Sequence, residues 1–215
     1  MTFPGREKEA RAASPFVSTL SNHPGSAPHA RRTLLLGYGL AGAVVLLASL
    51  VVSPNWRGAF GVGLGWIMLA IAWSDSQRYI VPDILSGGAL ALGIVNAIVG
   101  NPEGGFDDVL MALARATLAA GLFLFVRVVY RRIRRREGLG LGDVKLAAAA
   151  GAWLSPPMLP VVIEIAAVTG LAAYLVRQKL RRRAVRATSR LPFGAFFALA
   201  IWFGWILDTQ FVQPG

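Results

Sequence analysis

Residues 107–136 read DDVLMALARATLAAGLFLFVRVVYRRIRRR. Two acids open the stretch, a mostly apolar run follows, and six basic residues close it between Arg127 and Arg136. A bilayer core of ~30 Å is crossed by ~20 helical residues. The stretch therefore reads as one transmembrane helix over 107–127. Basic residues gather on the cytoplasmic side of membrane helices, so the arginine end is expected inside and Asp107 and Asp108 outside.

Working outward, six more apolar runs appear, at 33–53, 58–74, 83–100, 142–154, 157–176 and 191–207. The predicted fold is an all-α polytopic bundle of about seven transmembrane helices. The run 142–154 is short and ends at Ser155-Pro156-Pro157. Counting it as a span places 19 of the 22 basic residues in inner segments and only Arg57 in an outer one. That asymmetry predicts a cytoplasmic N-terminus and a C-terminus on the far side. The run 33–53 exceeds a signal-peptide core of about 7–15 residues and reads as a retained helix. Residues 1–32, rich in Ser, Pro, Ala and Arg without periodicity, read as a disordered cytoplasmic tail. Gly61 and Gly65 form a small-xxx-small pair, read as plain helix packing.

Composition excludes several classes. Charged residues make up 15% of the chain against about 25% in soluble domains, so no large water-facing domain is expected. The net charge of +11 lies between hydrophobic segments rather than on one polar surface, which argues against a nucleic-acid partner. The absence of cysteine excludes a disulfide framework, a thiolate zinc site and a cysteine nucleophile. His23 and His29, the only histidines, sit in the tail, so no histidine triad or metal cluster is available in the membrane, and no metal or cofactor is expected.

Ionisable groups at membrane depth are expensive and mark functional sites. Here they are Asp75, Asp83, Asp143, Arg115 and Glu164. Asp75 ends the second helix and Asp143 opens the fifth, both at the expected cytoplasmic face. Two close carboxylates do not easily both ionise and so share a proton. The ionised one takes a proton from water and the protonated one polarises a peptide carbonyl, which is aspartic-protease chemistry. Read singly, Asp143 is a first-turn acid favoured by the helix dipole and Asp75 a solvated helix end. Asp83, after Pro82, reads as a helix cap. Arg115 and Glu164 lie at matching depths in the outer half, at ~1.5 Å per residue, and are expected to pair.

The segment Asp75-Ser76-Gln77-Arg78-Tyr79-Ile80-Val81-Pro82-Asp83 resembles the first signature of type IV prepilin peptidases. Gly140-Leu141-Gly142-Asp143-Val144-Lys145 is similar to their second, the GxGD motif, and Leu191-Pro192-Phe193-Gly194 is similar to the segment opening their last helix. The resemblance covers about 58–207, and residues 58–208 are expected to form the peptidase core, with 33–57 as a first helix and outer turn. It implies an inner-membrane aspartic endopeptidase that removes the basic leader of a prepilin or pseudopilin at the cytoplasmic face. It carries the catalytic role onto Asp75 and Asp143, with Gly140, Gly142, Lys145, Pro82 and Asp83 in support. Long family members carry a cysteine-bearing domain linked to N-methylation. The chain resembles a short form without it, and methylation is not expected. The Pro-Ala-Leu segment of presenilin-type peptidases is not found. A transporter using paired carboxylates for ions or protons is the alternative. Such sites lie near the midplane within repeated halves, and no repeat is seen.

Overall fold

A computed structural model of the protein describes residues 27–100, 105–135, 138–180 and 192–211. Seven helices are formed among them: α1 Ala27–Val52, α2 Trp56–Arg78, α3 Asp83–Gly100, α4 Gly105–Arg134, α5 Leu141–Trp153, α6 Met158–Leu180 and α7 Phe193–Phe211. The expected all-α fold is observed. Helix α1 starts at Ala27, inside the stretch read as a tail, while the rest of that stretch, 1–26, lies outside the described residues. The bundle is built from the compact unit Ala41–Gly215.

Local chemistry sets the breaks. Pro54 cannot continue α1, and Asn55 caps α2 by accepting the Arg57 backbone N–H at 3.2 Å. Tyr79 ends α2 in the left-handed region at φ 55° and donates its N–H to the Asp75 carbonyl at 2.8 Å. Pro82 then opens α3, its carbonyl accepting the N–H groups of Leu85 and Ser86.

Helices α2, α3, α4, α6 and α7 are long and apolar enough to cross a membrane. Large apolar side chains on their outer faces stay uncovered, among them Leu118 at 73% and Phe125 at 65% exposure. A water-soluble monomer rarely shows so much contiguous apolar surface, whereas lipid satisfies it. Helix α5 differs. It has 13 residues, and nearly every position from Leu146 to Trp153 is buried. Helices α3, α4 and α7 pack around it, so it needs no lipid-facing side and shows no amphipathic stripe.

The core joins Leu64, Met68 and Ile71 of α2 to Leu146 of α5 and to Phe197 and Ile201 of α7. Phe197 stacks on Phe123 at 5.4 Å and on Phe193 at 5.5 Å. The Trp153 indole donates to the Ala89 carbonyl at 2.8 Å, tying α5 to α3. Gly61 and Gly65 lie under Trp205 and Trp202 of α7, where no Cβ would fit. The pair thus serves close helix packing, as expected.

Candidate active site

The site is built at one end of the bundle from the last turn of α2, the first turn of α5 and the first turn of α7. Asp75 is 6% exposed and Asp143 8%. Each carboxylate has one oxygen fixed by backbone. Asp143 Oδ2 accepts the Gly140 N–H at 3.1 Å, and Asp75 Oδ2 accepts the Ala195 N–H at 2.8 Å. Neither second oxygen takes a hydrogen bond from a described residue. Asp143 also lies within the electrostatic reach of the Asp75 carboxylate and of the Arg127 guanidinium.

Val81 sets the spacing of these pieces. It is buried between two glycines, and its Cβ would lie 2.8 Å from a Cβ placed on Gly142, the neighbour of Asp143. Its Cγ2 would lie 3.2 Å from a Cβ placed on Gly194, which itself would stand 3.0 Å from Asp75 Oδ2. The missing side chains at Gly142 and Gly194 therefore allow α5 and α7 to close on the turn that follows α2. Arg127 of α4 donates from Nη1 to the Leu139 carbonyl at 3.1 Å, which holds the glycine loop leading into Asp143.

The supporting residues divide. Gly140 provides the N–H that Asp143 accepts, and this makes Asp143 both a first-turn acid and a fixed carboxylate. Asp83 stands in the first turn of α3, but its carboxylate pairs with Lys145 of α5 rather than capping its own helix. Both partners are well exposed, at 78% and 43%. An exposed pair contributes only about 0.2–1 kcal/mol. Lys145→Met is accordingly expected to lower the unfolding midpoint only slightly, as read by a thermal melt of the purified protein. A collapse of the fold would contradict that weight.

The expected Arg115–Glu164 pair does not form. Arg115 Nε donates to the Gly151 carbonyl at 3.3 Å, inside the bundle. Glu164 is exposed on α6 and forms no ion pair among the described residues. Equal depth does not bring two side chains together when their helices turn them to different sides.

The backbone donor from Ala195, the Val81 spacer and the Arg127 brace were not singled out from sequence. Their sequence signal is position: Val81 lies between Asp75 and Asp83, and Ala195 directly follows Leu191-Pro192-Phe193-Gly194. The hydrogen bond from Ala195 to Asp75 joins positions 120 residues apart and leaves no local trace.

Residues 62–175 match the model of the type IV leader peptidase family, a span that includes both aspartates. The chain belongs to the type IV leader peptidase family. It is 26% identical over 163 residues to a prepilin leader peptidase/N-methyltransferase of Aeromonas hydrophila, covering 76% of this chain and 54% of that protein. It is 36% identical over 159 residues to the protein of that name from Burkholderia pseudomallei (strain K96243), covering 74% and 49%. For the Dichelobacter nodosus protein of the same name the identity is 28% over 184 residues, covering 82% and 59%. The chain spans about half the length of the curated relatives it matches. No solved structure matches it. Membership together with its apolar helices makes this leader peptidase relative a multi-pass membrane protein, and nothing in the match favours the transporter reading.

Proposed function

We propose that the protein is an aspartic endopeptidase that removes the short basic leader of a prepilin or pseudopilin, with Asp75 and Asp143 as its catalytic pair. The observation that carries this reading is the pair of buried carboxylates at one end of the bundle, each with one oxygen held by a backbone N–H. In the proposed reaction the ionised carboxylate takes a proton from a water molecule, whose oxygen attacks the scissile carbonyl carbon. The protonated carboxyl donates a hydrogen bond to the carbonyl oxygen as it gains negative charge. The C–N bond then breaks, and the leaving amine takes up the proton held by the first carboxylate. The held oxygens keep both groups oriented throughout.

Residues 58–208 are assigned to the peptidase core and 33–57 to an additional membrane helix and turn. The pair is placed at the cytoplasmic face of the inner membrane, because the basic residues gather at the ends of α2, α4 and α6 on that side. Reporter fusions after residues 134 and 184 are expected to report the cytoplasm, and fusions after 104 and 212 the far side. A cytoplasmic signal at 104 would reverse the assignment. The proposal is confined to cleavage and does not extend to methylation.

The direct test is co-expression with a candidate prepilin, followed by the gel shift that marks leader removal. Processing by the intact chain is expected. Absence of processing across prepilins and pseudopilins from the same cell would reject the reading.

A further inference from the structure

A second polar site lies at the other end of the bundle. Asp75 is in the last turn of α2 and Asp143 in the first turn of α5. The opposite termini of these helices help enclose a cavity of about 420 Å³, together with the start of α4 and the ends of α3 and α7. This volume falls in the ~300–1,000 Å³ range of small-molecule sites. Among its walls are Arg57, Arg115, Asp108, Asp208, Trp56 and Trp205.

The charged groups here are not all used by the protein. Asp208 is: it accepts the Ser155 N–H at 2.8 Å and the Ser155 hydroxyl. Arg115 spends only Nε, on the Gly151 carbonyl, and its terminal nitrogens meet no acceptor among the described residues. Arg57 lies over the Trp56 ring at 5.5 Å and forms no ion pair among them. Asp108 Oδ2 is buried and takes no hydrogen bond among the described residues. A buried carboxylate oxygen without a donor, and guanidinium nitrogens without an acceptor, are costly at a cavity wall unless something occupies the cavity.

The complementary ligand carries an oxyanion for the guanidinium groups and a hydrogen-bond donor for Asp108. Guanidinium groups favour phosphate through paired, charge-assisted hydrogen bonds. The two arginines and two aspartates cancel in formal charge, so a ligand that is itself neutral overall leaves no net field behind. Indole rings in the wall suit a cationic amine. We propose that this cavity binds the phosphoethanolamine headgroup of a membrane lipid, with phosphate on Arg57 and Arg115 and ammonium on Asp108. The assignment rests on the cavity alone and is independent of the peptidase reading and of orientation.

The test is native mass spectrometry of the full chain, purified in mild detergent and offered phosphatidylethanolamine, phosphatidylglycerol and phosphatidylcholine at equal concentration. Preferential retention of phosphatidylethanolamine is expected. Arg57→Gln is expected to lower its occupancy about tenfold, the worth of one charge-assisted bond. Asp108→Asn is expected to erase the preference over phosphatidylcholine, whose methylated amine cannot donate, while leaving phosphate-dependent retention. Arg57 and Asp108 lie at helix ends, and either variant suffices should the other fail to fold. Equal retention of all three lipids, preference for phosphatidylglycerol, or unchanged retention in the variants would overturn the proposal. Soluble phosphoethanolamine, titrated against delipidated protein, separates the lipid from the free compound. Tighter binding of the soluble form would overturn the lipid assignment.

Discussion

Asp75→Asn and Asp143→Asn are each expected to lower leader cleavage by about 10²–10⁴-fold, the worth of a positioned general acid or base. Asparagine matches aspartate in size, and its amide oxygen still accepts a backbone N–H. The bonds from Ala195 and Gly140 therefore survive, and with them the closure of α7 and α5 on the site. What disappears is the ability to hold or release a proton. The double variant should be little worse than either single one, because two groups acting on one proton inventory fail together. The measurement is the processed fraction of a co-expressed prepilin, with membrane-inserted protein quantified in parallel. Near-normal processing by either single variant would remove that residue from the catalytic pair.

Gly194→Ala is expected to reduce cleavage by about 10²-fold through geometry alone. The added methyl would stand 3.0 Å from Asp75 Oδ2 and 3.2 Å from Val81 Cγ2, both closer than ordinary contact. Each neighbour would have to give way by a few tenths of an ångström, against contacts that hold it. The carboxylate is fixed by Ala195, and Val81 is already wedged against Gly142. The control is Gly87→Ala on α3, where a Cβ meets nothing within 4 Å and helix propensity improves. Gly87→Ala should process normally. Equal processing by the two variants would show that the Gly194 contact does not position Asp75.

The membrane helices were legible because lipid leaves the backbone few choices. Every N–H and C=O must be satisfied within the segment, so length and apolarity nearly suffice. The run at 142–154 forms the helix α5, although its 13 residues leave it outside the five helices long and apolar enough to cross a membrane. Asp75 and Asp143 could be placed at one end by the same apolar runs. A sequence yields depth along a helix axis far better than rotation about it. Arg115 and Glu164 show the limit: their depths agreed, but one turns into the bundle and the other outward. The same limit hid the Ala195 donor and the Val81 wedge, which depend on how three helix ends meet. It also hid the cavity, whose walls come from five helix ends.

The shortness of α5 has a consequence for where water and lipid meet inside this protein. Thirteen residues rise about 20 Å, roughly two-thirds of a ~30 Å hydrocarbon layer. Along its own axis α5 is therefore shorter than the hydrocarbon layer that its longer neighbours can cross. Asp143 stands at one end of this short helix and the polar cavity lies at the other. A peptide bond brought to the aspartates does not have to shed its hydration as fully as one drawn into the midplane. The proposed hydrolysis consumes a water molecule, and a pair at the end of a short helix, rather than at the midplane, keeps water within reach.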